Sequence, residues 1–292
     1  MDGVIVINKP TGQTSHNLVG FTRRLLNIKK VGHTGTLDPD ASGVLPVCIG
    51  RGTKAADMLT ASDKAYRAQF ILGMTTDTLD ASGEILTEQP VLVTEEQIIE
   101  TIKGFIGEIY QIPPMFSAIK KDGKKLYELA RKGVTIEREK RKVTIFDIKV
   151  CEIDMENFAI TIEVSCSKGT YIRTLCEDIG MALGCGAYMN TLVRTKSANF
   201  TLDESHTPEE LLEMKKNGTL DEVIIPVDKL FCDYKEVILD DFLAGKAKNG
   251  IPIRKKGLTD GALYRIYGEN REFLCISEYK EGALYLKKAF WN

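Results

Sequence analysis

Two hydrophobic periods alternate along the chain. Gly3–Asn8 and Val44–Ile49 are nearly continuous apolar runs and predict strands, the second of them buried. Lys64–Leu72 alternates, with Tyr66, Ala68, Phe70 and Leu72 on one face. Gly107–Ile112 predicts a strand ended by Pro113 and Pro114, and Lys142–Val150 and Phe158–Ser165 alternate strongly enough to predict paired strands. Helical spacing falls between these. Leu18, Phe21, Leu25 and Ile28 share one side of a helix over 16–27 that Ser15 would cap. Thr53 would cap a helix reaching about Ser62. Thr94–Gln97 reads as a capping box opening a helix with Ile98, Ile102 and Phe105, and Thr207-Pro208 opens another with proline at its first position. Leu126, Leu129 and Ala130 predict a short helix, and Thr170 would cap one that carries Arg173 in its first turn. From about Tyr234 the character shifts to a helix over Val237–Leu243 with Asp240 and Asp241 exposed, then short strands at 262–267, 272–277 and 283–288. Strands and helices are thus both expected along the chain.

The polar stretch that does not fit either period is 31–43. It holds His33, Asp38 and Asp40 among Gly32, Gly35 and Gly43, and it runs directly into the apolar Val44–Ile49. Reactive side chains on a loop held by a rigid element are a common arrangement for a site. Pro39 restricts the backbone of Asp38, so its carboxylate can be aimed. Read locally, Asp38-Pro39-Asp40 with Ser42 and Gly43 is also ordinary turn chemistry.

Composition narrows the class. The 292 residues are 43% hydrophobic and 27% charged, which fits a globular chain of one large or two unequal domains. No run of 18 apolar residues predicts a membrane span, and Met1-Asp2-Gly3-Val4 lacks the features of a signal peptide. Seven cysteines without a Cys-x-x-Cys pair disfavour disulfide frameworks and zinc knuckles, so a reduced cytoplasm is expected. The net charge of −2 hides an uneven distribution. Residues 77–100 hold seven acids and no base, whereas 120–142 hold ten bases against four acids. Lys246, Lys248, Arg254, Lys255 and Lys256 form a second basic cluster. Each run alone reads as a solvated face, although a chain that is acidic overall can still present a basic stripe to phosphates.

Gly32-His33-Thr34-Gly35-Thr36-Leu37-Asp38-Pro39, continued by Ala41-Ser42-Gly43-Val44-Leu45-Pro46, resembles the signature motif of the TruB family, the tRNA pseudouridine-55 synthases. The resemblance covers roughly residues 1–230 and extends more loosely to the end. It implies an α+β pseudouridine-synthase fold with a mixed, largely antiparallel central sheet flanked by helices and loops. The catalytic domain would span 1–232, with a basic RNA-gripping insertion at about 115–142, and a small β-rich PUA-like domain would span 233–292. Asp38 would be the nucleophile. Gly169-Thr170-Tyr171-Ile172-Arg173 resembles the motif that sets an arginine against that aspartate, with Tyr171 in the same pocket. Tyr66, a core tyrosine by pattern alone, occupies the place of the tyrosine that stacks on the target base, a contact worth ~1–3 kcal/mol. His33 would fill the gap left by the extruded nucleotide, and Leu192 of Leu192-Val193-Arg194-Thr195 would line the uracil pocket. Lys9, in a turn resembling one that supports the active-site loop, and Lys124 and Lys125 of the insertion complete the expected RNA-binding set. Pro113-Pro114-Met115-Phe116-Ser117-Ala118-Ile119-Lys120 resembles the bacterial stand-alone members, in which this segment closes over the tRNA arm.

The implied partner is the T stem-loop of tRNA, with no membrane, no obligatory protein partner, a monomeric enzyme and no metal or organic cofactor. Arg173 beside Asp38 would favour the ionised carboxylate and lower its pKa. Three other readings use the same residues: a metal-dependent phosphodiesterase built on His33, Asp38, Asp40 and Asp57, a non-catalytic RNA-folding helper, and a guide-RNA-dependent synthase.

Overall fold

The computed structural model describes residues 1–121 and 123–291. Asp122, one of the four acids of the basic run, lies outside them. The chain begins with β1 (Gly3–Lys9), α1 (Ser15–Leu26), β2 (Val31–His33) and β3 (Ser42–Ile49). A 3₁₀ turn over Gly50–Ala55 leads into α2 (Ala56–Thr60) and then β4 (Lys64–Leu72). A ribbon of β5 (Met74–Thr76) and β6 (Ile85–Glu88) precedes α3 (Glu95–Lys103) and β7 (Gly107–Gln111). The basic run forms a hairpin of β8 (Lys120–Lys121) and β9 (Lys124–Lys125), followed by α4 (Leu126–Ala130). After it come β10 (Arg141–Asp154), β11 (Ala159–Cys166), α5 (Ile172–Ala182), β12 (Ala187–Ser197), β13 (Phe200–Thr201) and α6 (Pro208–Asn217). The last part holds β14 (Lys235–Leu239), α7 (Asp241–Lys248), β15 (Ile253–Arg254), β16 (Leu263–Gly268), β17 (Phe273–Lys280) and β18 (Ala283–Ala289).

The large sheet runs β1-β3-β12-β4-β11-β10-β7, with β2 on β3 and β13 on β12. Its ladders are antiparallel except where β12 meets β3, through Val193 opposite Ser42 and Arg194 opposite Gly43. The sheet is therefore mixed and largely antiparallel, as expected, and its parallel contact lies at the end of the polar loop. Gly43 makes that contact possible. Its φ is +102°, and a Cβ there would sit 2.3 Å from the Arg194 carbonyl oxygen and 2.9 Å from the Arg194 nitrogen. Gly43→Ala should cost at least ~2 kcal/mol through strain and clash together. Urea unfolding would measure it, and a variant as stable as the parent would contradict the close approach.

Two loop residues, Leu37 and Ala41, are part of the main core with Phe70, Ile160, Ile162 and Leu175. Packing thus holds the polar loop from below. A second sheet, ordered β14-β16-β17-β18-β15, has its own core of Val237, Leu239, Ile266 and Leu274. It joins the large sheet through a shared cluster of Val4, Val44, Phe200, Phe231, Ile276 and Phe290. Lys288 Nζ also lies 2.7 Å from Asp57 across that junction.

Four expected local features differ. Thr14, not Ser15, caps α1 by accepting from the Asn17 N–H; Ser15 is buried and bonded elsewhere. Thr53 caps no helix, because its hydroxyl donates to the Gly50 carbonyl inside the 3₁₀ turn. Thr170 likewise donates to the Ser167 carbonyl, and Tyr171 is the N-cap of α5. The helix expected over Val237–Leu243 begins as a strand: Val237 and Leu239 are buried while Glu236 and Ile238 are exposed, which is period two. Asp240 then caps α7, accepting from the Leu243 N–H at 2.8 Å.

Candidate active site

A loop without a backbone ladder must satisfy its carbonyls in another way. Residues 34–41 do so with buried side chains. Lys9 is fully buried, and its ammonium donates to the carbonyls of Pro10 and Pro39 at 2.9 Å and of Ala41 at 2.6 Å. The Ser15 hydroxyl donates to the Leu37 carbonyl at 3.1 Å and accepts from the Leu37 N–H at 2.8 Å. Arg194, 1% exposed, donates from Nε to the Val44 carbonyl at 2.7 Å and from Nη2 to the Gly35 carbonyl at 3.3 Å. These three side chains grip the loop on both sides of Asp38. Lys9 therefore supports the loop and has no donor left for RNA, which corrects its place in the RNA-binding set. Burial pushes its amine down to about 8, with Asp40 and Asp38 opposing.

Arg173 is 5% exposed and sits in the first turn of α5, where the helix dipole disfavours a cation. Its surroundings offset that cost. Nη2 lies 3.1 Å from Asp38 Oδ2 and donates to the Phe116 carbonyl at 2.8 Å, while Nη1 donates to the Thr78 carbonyl at 3.1 Å and lies 3.4 Å from Asp80 Oδ2. The guanidinium thus joins the signature loop, the 76–83 loop and the start of the insertion. The Asp38 side chain is 40% exposed, so a substrate can reach it. Burial among the loop's walls raises its pKa, Arg173 opposes, and Asp80 adds to the rise. Arg173 acts in the expected direction, but, shared between two carboxylates, it does not outweigh desolvation, so the net shift is upward.

Tyr66 packs on the main core and is opposite Arg194 in the β4–β12 ladder. Burial raises its phenol pKa and the Arg194 guanidinium beside it opposes, so the ring is a neutral, stiffly held face. Leu192, 8% exposed, is two residues before Arg194 and belongs to the same core cluster. Tyr171 is partly buried, and burial raises its phenol pKa while Ser117, Arg141 and Arg173 oppose and Asp38 adds to the rise. His33 ends β2 with its Nδ1 buried and without a hydrogen-bond partner among the described residues; burial and the Arg194 charge hold its pKa down, which favours the neutral imidazole. Lys124 is exposed at the hairpin, and Lys125 leans on Tyr127, its Nζ 5.3 Å from the ring centroid. The hairpin lysines do not touch the Asp38 cluster; the insertion reaches it through the Phe116 carbonyl.

Three residues of the site go beyond those expected from the sequence. Asp80 lies in an acidic run that reads only as a charged loop. Arg194 stands within the Leu192–Thr195 motif, and a cation at an inward position of an alternating strand is the available signal. Gln111 reads as no more than the end of a strand. Among the described residues, no group of three or more His, Cys, Asp or Glu side chains is placed to hold a metal ion. Asp57, drawn into the phosphodiesterase reading, is held by Lys288.

The site is thus a buried arginine fork against a reachable carboxylate on a loop pinned from beneath. The sequence matches TruB family pseudouridylate synthase (N terminal domain) over residues 23–172. It matches tRNA pseudouridylate synthase B C-terminal domain over 173–231 and pseudouridine synthase II TruB, C-terminal, over 236–287. A protein of Clostridium kluyveri named tRNA pseudouridine synthase B is 45% identical over 99% of this chain and 100% of its own length. One of the same name from Azoarcus sp. is 46% identical over 99% of this chain and 94% of its own. A chain in the crystal structure of a Cbf5-Nop10-Gar1 complex superposes with a TM-score of 0.75 at 30% identity, covering 99% of this chain and 85% of that one. The chain belongs to the TruB family of pseudouridylate synthases.

Proposed function

We propose that this chain isomerises uridine 55 in the T-arm loop of tRNA to pseudouridine, acting alone and as a monomer in the cytoplasm. The observation that carries the reading is the Asp38–Arg173 pair, 3.1 Å apart at the reachable end of a loop pinned from beneath. The reaction breaks the N1–C1′ bond, turns the uracil and joins C5 to C1′; the C5 proton leaves and the freed N1 takes up a proton. The base must first leave the folded loop, at a cost of a few kcal/mol. Asp38 attacks, or stabilises the positive charge that develops at C1′. Arg173 holds the carboxylate in place. Tyr66 stacks on the base, Leu192 and Tyr171 wall the pocket, and the neutral His33 ring takes the space the base vacates. The chemistry proposed needs no cofactor. Residues 233–291 would extend the RNA surface as a PUA-like domain.

Purified chain incubated with an unmodified tRNA transcript should produce pseudouridine at position 55 and nowhere else in the T arm. Modification that requires a second RNA or protein would contradict the stand-alone reading. The basic hairpin offers a second test. Lys124→Ala with Lys125→Ala should weaken tRNA binding and reduce the slope of log K against log salt by about 1–2, one unit for each phosphate no longer neutralised. Lys124, free in solvent, should account for more of the change than Lys125, which Tyr127 already engages. An unchanged slope would remove the hairpin from the RNA interface.

A further inference from the structure

We propose that Gln111 is a positioning residue for the catalytic arginine and acts through the backbone of Tyr171; the inference rests on the isomerase reading above. β7 is an edge strand, and its last residue, Gln111, is 1% exposed. A carboxamide in a core position is costly unless both its ends are bonded. Both ends of Gln111 find the same residue. The Tyr171 N–H donates to Gln111 Oε1 at 3.0 Å, and Gln111 Nε2 donates to the Tyr171 carbonyl at 3.2 Å. Those bonds span 60 residues of sequence. Tyr171 is the N-cap of α5, and no side chain of its own caps the helix. The amide clasp therefore sets where α5 begins, and Arg173 follows two residues later.

Arg173 cannot tolerate much drift in that starting point. Its distances to Asp38, Asp80, Thr78 and Phe116 all lie between 2.8 and 3.4 Å, and these partners come from three separate segments. The same short stretch holds the arginine a second time. Ile112, Pro113 and Pro114 carry the chain from Gln111 towards Phe116, whose carbonyl accepts from Arg173 at 2.8 Å. Gln111 fixes the helix backbone and Phe116 fixes the guanidinium, so the strand end and the insertion together aim the cation at Asp38. Arg141 on β10 stands opposite Gln111 in the ladder, and Arg141, Arg173 on α5 and Asp38 on the signature loop are the charged groups that act on the Tyr171 side chain.

The test compares wild type, Gln111→Met and Gln111→Glu in single-turnover assays on unmodified tRNA, with tRNA affinity measured separately. Methionine keeps the volume and removes the amide. Its rate should fall ~100-fold, the effect of an ångström-scale misplacement, while affinity stays within about twofold. A rate within about threefold of wild type, or a loss carried wholly by affinity, overturns the inference. Glutamate guards against a methionine variant that fails to fold. When protonated it presents the same acceptor and donor as the amide, and when ionised it lacks the donor. The ratio of its rate to that of wild type should rise at least about fivefold between about pH 8.5 and about pH 6, whereas a merely structural role leaves the ratio flat and overturns the inference. An inactive wild type in the same assay sinks the isomerase reading itself, a result separate from either variant's.

Discussion

Asp38→Asn is expected to stop isomerisation while leaving tRNA bound. The amide fills the same space beside Arg173 but is neither a nucleophile nor an anion. Single-turnover rate should fall by about 10⁴-fold or more, the range seen when one member of a catalytic group is removed. Affinity should change by no more than a few fold, because the lysines proposed to meet phosphate, Lys124 and Lys125, lie on the hairpin and not in the Asp38 cluster. Stability gives an independent reading with a definite sign. Burial raises the folded-state pKa of Asp38 above its ordinary value. A carboxyl whose folded pKa is raised destabilises the fold progressively as pH climbs from its ordinary pKa to the raised one, and the penalty is complete above both. Removing it should therefore raise the melting temperature at neutral pH, as is common where a strained site is relieved. A variant that is less stable than the parent would mean that the Asp38–Arg173 contact outweighs desolvation.

Arg173 is the second position of large expected effect. Lysine there is not conservative, because an ammonium cannot span the Phe116 and Thr78 carbonyls and two carboxylates at once. Arg173→Lys should lower the single-turnover rate by about 10²–10³-fold. Arg173→Met should in addition lower stability by ~3–5 kcal/mol, since it leaves Asp38 and Asp80 facing each other without a cation. The pH profile separates the two effects. Arg173 is the largest influence that lowers the Asp38 pKa, and Asp80 raises it. Without the cation, the acid limb of kcat/KM should move to higher pH. A limb that stays in place would show that Arg173 does not act on the ionisation of Asp38.

Most of what positions the reaction is legible in the sequence, because it is local. The apolar run after the signature loop is β3, the alternation around Tyr66 is β4, and the cation placed against the dipole of α5 points to an anionic partner. Pairing between distant segments is what the sequence hides. Asp80 meets Arg173 across 93 positions, and Arg194 meets Val44 across 150. A charged loop and a strand arginine look the same in sequence whether or not such a partner exists. Lys9 shows the limit most clearly. A lysine in a turn is expected in solvent, yet here the loop's unpaired carbonyls draw it fully inside. The difference at Val237–Leu243 has a similar cause. Its alternation is only five residues long, and the parallel pairing of β14 with β16 that makes it a strand lies 29 positions away, from Lys235 to Tyr264.

The central claim is that this chain, unaided, rearranges the uridine through Asp38. Release of tritium from C5-labelled uridines of unmodified tRNA tests it most directly, because joining C5 to C1′ must expel that hydrogen. With pure protein in EDTA, the wild type should release one equivalent per tRNA and Asp38→Asn none. Release by the variant at a rate near that of the wild type would contradict the role of Asp38, and no release from the wild type with tRNA bound would contradict the unaided isomerisation.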